Sequence, residues 1–160
     1  MRLTGMTDYA LRLLMFLGSN PERLCTIAEV AQAYRISEAH LMKITHLLGT
    51  AGWIETLRGK GGGMRLARAP AEINLGAVVR TTESDFRLVE CFTAGSPCTL
   101  AGNCRLTGIV QGALDSFLQH LDSFTLADIL PPPAGEALPS NARVVNLERE
   151  RASRSARKRN

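Results

Sequence analysis

Between Thr50 and Pro70 the spacing of apolar residues switches from helical to alternating, and this switch constrains the fold more than any other feature of the chain. Three amphipathic segments precede it, each opened by a capping residue. Thr7 is placed to cap the first, in which Leu11, Leu14 and Met15 recur at helical spacing with Phe16 and Leu17, until Asn20-Pro21 ends it. Thr26 opens the second, with Glu29 three residues on as in a capping box, and Ile27, Val30 and Ala31 form its apolar face. Tyr34-Arg35-Ile36 turns the chain. Ser37 caps the third, which runs to about Thr50 with Leu41, Ile44 and Leu48 inward, and Gly52 stops it. Then Trp53–Arg58 reads as a strand, Gly59-Lys60-Gly61-Gly62-Gly63 as a turn, and Met64–Ala67 as the returning strand. Each element alone is common. Their order predicts a winged helix-turn-helix with a β-hairpin wing.

Beyond the hairpin, Asn74 caps a short helix, Leu75 to about Thr82, and residues 84–102 form a loop rich in Gly, Ser, Cys and Pro. A long amphipathic helix follows from about Asn103 to Ser123. Leu106, Ile109, Val110, Ala113, Leu114, Phe117, Leu118 and Leu121 recur along it at spacings of three and four. Such a helix needs another surface over its stripe, and the same helix of a second copy is the natural one. Thr125 caps a last turn, Leu126–Leu130. The expected class is therefore mainly α: a winged helix-turn-helix over 1–70, a loop and long C-terminal dimerisation helix over 71–130, and a tail, 131–160. The tail holds four of the seven prolines, ends in RASRSARKRN, and reads as disordered and basic.

The net charge of +4 hides a division. Residues 1–69 carry nine Lys/Arg against five Asp/Glu, residues 70–130 three against seven, and residues 131–160 seven against three. A basic N-terminal half on a helix-turn-helix suits a phosphate backbone. The recognition helix would be Ser37–Thr50, entering the major groove of an operator in double-stranded DNA N-terminus first. His40 and Lys43 face away from its apolar stripe and can donate to bases or phosphates. Ser37 and the free N–H groups of the first turn suit a phosphate oxygen. Arg12 stands outside the apolar face of the first helix. Arg58, Lys60 and Arg65 surround the glycine-rich tip, where they can meet phosphate or a narrow minor groove. The plainer reading of the tip is a flexible turn, since it lacks the Lys-Ser/Thr ending of a nucleotide-binding loop.

No apolar run is long enough to span a membrane. The first twenty residues carry Asp8 and lack a small-residue cleavage site, which argues against a secretory signal and for the cytoplasm. No nucleophile–base set, nucleotide loop or paired-carboxylate site has supporting context, so an enzyme is not expected.

In the cytoplasm thiols stay reduced, which turns attention to Cys91, Cys98 and Cys104, spaced C-x6-C-x5-C. Cys25 lies far from them and reads as a small buried hydrophobe. Three thiolates within 14 residues of a Gly/Pro-containing loop can converge on a metal, and Cys104 would sit where a helix dipole favours thiolate. Zinc sites usually show closer pairs, and the wide spacing suits an iron–sulfur cluster better. An iron–sulfur cluster, a zinc or thiol switch, and inert cysteines all remain open on spacing alone.

MRLTGMTDYALR at the start, SEAHLMKITHLLGTAGWIETLRGKGGGMRLA, the three-cysteine loop and LDSFTLADIL together resemble the iron–sulfur winged-helix repressors, the family of IscR, RirA and NsrR. The resemblance covers about residues 1–130. It implies a homodimer, a long dimerisation helix and one iron–sulfur cluster per subunit, 4Fe-4S in preference to 2Fe-2S, held by Cys91, Cys98 and Cys104. Within the family, PCTLAGNCRLTGIVQGALDSFLQHLDSFTLADIL is most similar to the nitric-oxide-sensing branch. IscR-like members use a histidine three residues after the last cysteine, where this chain has Thr107. Members of the nitric-oxide branch supply an N-terminal aspartate as fourth ligand, and Asp8 matches it, reaching across from the other subunit. From its position alone, Asp8 reads as an acid favoured at a helix N-terminus. FRLVECF before the cluster resembles the iron-responsive branch, the alternative reading. The resemblance thus implies a repressor that releases DNA in response to nitric oxide, derepressing detoxification genes.

Overall fold

The computed structural model describes residues 2–89, 92 and 104–131, and Met1–Leu130 pack as one unit. Cys91, Cys98 and the tail after Pro131 lie outside the described residues.

Helix α1 spans Gly5–Gly18 and begins three residues earlier than the sequence reading places it. Thr4, not Thr7, is the cap, accepting from the Thr7 N–H at 3.4 Å. Thr7 lies inside the helix and is fully buried, its hydroxyl committed to Thr82 and Glu83. That tertiary bonding is invisible to local pattern. The inward face of α1 is Ala10, Leu13, Leu14 and Leu17, with Leu11 and Met15 packed at its edge. Helix α2, Ile27–Tyr34, opens with the expected capping box: Glu29 accepts from the Thr26 N–H at 2.7 Å while Thr26 accepts from the Glu29 N–H at 3.3 Å. Arg35 turns the chain at φ 55°, in the left-handed region, and Ile36 drops into the core. Helix α3, Glu38–Thr50, is capped by Ser37, and its Leu41, Ile44 and Leu48 are fully buried. Each such side chain contributes about 1.5–3 kcal/mol by leaving water.

Strands β1, Ile54–Leu57, and β2, Gly63–Leu66, pair antiparallel, with Ile54 opposite Leu66 and Glu55 opposite Arg65. Cys25 adds a rung to this sheet: it exchanges both backbone hydrogen bonds with Met64, at 2.9 and 2.8 Å. This explains Gly63, because a Cβ there would stand 2.8 Å from the Cys25 carbonyl oxygen. Gly59 is needed for another reason, a φ of 97° at the turn.

Helix α4, Leu75–Thr82, is capped by Asn74 as expected. Helix α5 spans Arg105–Asp122, so Cys104 is its N-cap and not a residue of its first turn. The C-terminal end of α5 is anchored. Arg80 of α4 grips Asp122 with two hydrogen bonds of 2.5 and 2.7 Å, and the Asn74 amide donates to the Asp122 carbonyl. After α5 the chain doubles back. Leu75 donates to the Phe124 carbonyl and Leu126 to that of Ile73, and a short 3-10 turn, Leu126–Ile129, brings Leu130 against α1 at Gly18. The N-terminal half of α5 is different: Leu106 is 59% and Ile109 69% exposed.

Candidate nucleic-acid interface and cysteine site

The residues expected to meet DNA fall into two groups. Lys43, on the outer face of α3, and Arg58 and Lys60, at the hairpin tip, are exposed and make no ion pair among the described residues. Arg12 and Arg65 are exposed but engaged. Arg12 pairs with Asp8 one turn back, at 2.9 Å, and Arg65 grips Glu55 across the hairpin at 2.9 and 3.1 Å. Ser37 spends its oxygen on the cap, accepting from the His40 N–H at 3.3 Å, with its hydroxyl 3.2 Å from His40 Nδ1. The His40 ring also stands edge-on to Tyr9 of α1, centroids 6.1 Å apart. The first turn of α3 is thus held both by its own cap and by α1.

A groove of about 790 Å³ separates α3 from the wing. Met42, His46 and Thr50 line it on the helix side, Leu57 and Arg58 on the wing side, and Thr26 and Ile27 at its end. Met42, 55% exposed, and His46 did not enter the predicted interface. The signal that finds them is simple: Leu41, Ile44 and Leu48 point inward, so positions 42 and 46, four apart, share the outer face with Lys43. Arg58 is the cation that lines this groove, on its wing side.

The two described cysteines sit in opposite environments. Cys25 is fully buried at the wing base, and burial pushes its thiol up; Arg23 opposes this and Glu29 reinforces it. Cys104 is half-buried at the start of α5. The backbone N–H of Thr107, then its side chain, then the N–H of Leu106 hold the Cys104 thiol below its ordinary value. Donors aimed at a sulfur stabilise thiolate, the form that binds metal. Among the described residues no three His, Cys, Asp or Glu side chains stand together to hold a metal, and Cys104 is the one proposed thiol ligand among them. Asp8 is half exposed in the first turn of α1, its carboxylate on Arg12.

Comparison with known proteins agrees with this layout. The family model Rrf2, described as an iron-dependent transcriptional regulator, matches residues 3–132. The HTH-type transcriptional regulator NsrR of Geobacillus kaustophilus is 53% identical over 132 residues, covering 81% of this chain and 90% of that one. Its namesake in Halalkalibacterium halodurans is 48% identical over the same shares of this chain and its own. Among solved structures, T. potens IscR superposes with a TM-score of 0.65 at 23% identity, covering 80% of this chain and 85% of the other, a likeness of fold. No helix among the described residues is long and apolar enough to cross a membrane. With its three capped helices, glycine-tipped wing and match over nearly all of residues 3–132, the chain belongs to the Rrf2 family and is a DNA-binding transcriptional regulator.

Proposed function

We propose that this regulator is a homodimeric, cytoplasmic repressor that senses nitric oxide through an iron–sulfur cluster held by Cys91, Cys98, Cys104 and Asp8 of the partner subunit. The observation that carries the reading is the thiolate-favouring seat of Cys104, placed at the start of the helix whose apolar face is left uncovered. Leu106 and Ile109 of two copies cover each other, which sets the two recognition helices for successive major grooves of a near-palindromic operator. Lys43, Arg58 and Lys60 supply the phosphate and base contacts around the groove, with His40, Ser37, Arg12 and Arg65 at its margins. When bound, the cluster supplies iron open to nitric oxide where its fourth ligand is a poorly matched carboxylate. Asp8 then ties α1 of one subunit to the cysteine segment of the other. Loss of that tie would leave α1 and the recognition helix packed on it free to shift against the partner, which would weaken operator binding. The genes derepressed are those of nitric oxide detoxification.

An iron-responsive repressor is the second reading, favoured by the family's description as iron-dependent. It uses the same ligands. Anaerobic purification followed by stepwise nitric oxide addition separates the two, with visible absorption and operator binding read on one sample. A sulfide-to-iron band that bleaches with nitric oxide while DNA is released supports the sensor. A band indifferent to nitric oxide, with DNA released on iron chelation, supports the iron reading. A protein with no band and no inorganic sulfide overturns both and leaves a thiol or zinc switch.

A further inference from the structure

Glu83 ends α4 and stands eight residues before Cys91. One oxygen of its carboxylate, Oε1, accepts from the Thr4 N–H at 2.7 Å, the Thr7 hydroxyl at 2.6 Å and the Thr4 hydroxyl at 3.2 Å. These are the residues that start α1. The Thr4 hydroxyl accepts from the Thr7 N–H as the helix cap, so Glu83 orients the cap as well as binding it. Thr7 and Thr82, buried between the helices, lie with hydroxyls 2.8 Å apart, and Thr82 also reaches the Val78 carbonyl at 3.0 Å. No cation is hydrogen-bonded to Glu83 among the described residues, and its hydrogen bonds go to Thr4 and Thr7.

That turn faces the recognition helix on its other side. Tyr9, one residue past Asp8, meets the His40 ring, and His40 is bonded to the Ser37 cap of α3. Six residues at the start of α1, Thr4–Tyr9, therefore touch both Glu83, which leads to the cysteine segment, and His40, in the first turn of the recognition helix.

We propose that Glu83 is a positioning residue that couples the cysteine segment to the recognition helix within one subunit, by fixing the first turn of α1. This rests on the reading that cluster state controls DNA binding. It adds a route inside the subunit to the one across the dimer, and it acts through hydrogen bonds that exist without any metal.

The test uses the full chain, cluster-loaded and cluster-free, on a DNA fragment selected from random sequence by the wild-type protein. Wild type should bind it about tenfold or more tightly in one state than the other. Glu83→Ala should shrink that ratio about fivefold or more. Glu83→Gln, which keeps an acceptor at Oε1, should retain more of it. A purely structural Glu83 would instead weaken both states by the same factor, and that result overturns the proposal. A second readout needs no cluster. In cluster-free Glu83→Ala, backbone amide hydrogen exchange should quicken at 4–8 and at 37–40 together. Quickening at 4–8 alone breaks the link to the recognition helix. A wild-type ratio of one overturns the underlying cluster reading and the proposal with it, whereas an intact wild-type ratio that Glu83→Ala leaves unchanged overturns only the proposal. If Glu83→Ala does not fold, Glu83→Asp, whose shorter side chain draws the carboxylate back from Thr4 and Thr7, carries both measurements, a ratio equal to wild type with unaltered exchange being the negative result.

Discussion

Helices α3 and α5 follow the same amphipathic pattern and meet opposite fates. In α3 every apolar residue of the stripe is covered: Leu41, Ile44 and Leu48 have no exposed surface, closed over by α1, α2 and the wing. In α5 only Leu114 is buried, while Leu106 and Ile109 face outward at 59% and 69% exposure. The first helix is complete within one chain. The second is fixed to its own chain at one end, through Asp122, and left open at the other, where Cys104 begins it. A repeat of three and four thus announces that a face will be covered, but not by whom. Isolated apolar side chains on a surface are ordinary, whereas a stripe continuous along a helix needs a partner.

Breaking the closed helix should cost most. Leu41→Ala leaves a cavity where α1, α2 and α3 meet, and should lower unfolding free energy by about 2–5 kcal/mol in a urea titration. Ile109→Ala should change the stability of a single chain by less than about 0.5 kcal/mol, since its side chain is 69% exposed. A loss at Ile109 as large as that at Leu41 would mean that folding and association are one event.

Ile109→Glu sharpens the comparison from the open side. It should leave the helical circular dichroism spectrum intact and turn the dimer into a monomer in sedimentation equilibrium. Operator affinity should fall with it, because one subunit presents one recognition helix. A variant that remains dimeric would place the subunit interface elsewhere.

The anchored end of α5 is the next target. Gly76 of α4 lies under Asp122, and a Cβ on it would run into the Asp122 carboxylate. Gly76→Ala should therefore displace the Arg80–Asp122 bridge at a cost of no more than about 1 kcal/mol, since both partners are exposed side-chain ends. Acid should loosen the same junction more mildly. Arg80 holds the Asp122 carboxyl below its ordinary value, so the stability it adds is present above the unfolded carboxylate's pKa and is lost as pH falls through the lowered one. The gap in thermal midpoint between wild type and Asp122→Asn should narrow below about pH 4 and be smallest near about pH 2. A gap that stays constant across that range would show that the bridge contributes nothing through its charge.

Local chemistry explains what the sequence made legible. The Thr26–Glu29 box, the Ser37 and Asn74 caps and the Gly59–Gly63 turn each act within a few residues, and each stands where it was expected. The misplaced start of α1 has a longer-range cause. Thr7 looks like a cap, but its hydroxyl is claimed by Thr82 and Glu83, more than seventy residues away. The cations of the candidate interface are legible in the sequence, and their engagement is not. Pattern picks out Arg12 and Arg65 as readily as Lys43, and only the fold shows Asp8 and Glu55 holding two of them. Met42 and His46 carry no charge to mark them, although helical spacing puts them on the outer face beside Lys43.

That difference in engagement leads to the finest comparison, between two arginines of one wing. Arg58 at the tip makes no ion pair among the described residues, while the Arg65 charge is offset by Glu55 directly across the hairpin. An exposed pair of this kind contributes about 0–1 kcal/mol to folding, so neither Arg58→Ala nor Arg65→Ala should disturb the fold measurably. On DNA they should part. Each phosphate neutralised releases counterions and adds about 0.9 to the slope of log affinity against log salt. Arg58→Ala should lower that slope by about one and weaken binding to operator and random DNA alike. Arg65→Ala should leave the slope nearly unchanged, because a guanidinium already on a carboxylate has little charge to offer a phosphate. Glu55→Gln then becomes the deciding variant. It frees Arg65 without moving it, and should raise the slope by up to about one and tighten non-specific binding. If the slope rises for Glu55→Gln and falls back when Arg65→Ala is added, the hairpin ion pair is what withholds Arg65 from DNA. If Arg65→Ala alone lowers the slope as much as Arg58→Ala does, Arg65 abandons Glu55 for the phosphate on binding, and the pair belongs to the free protein only.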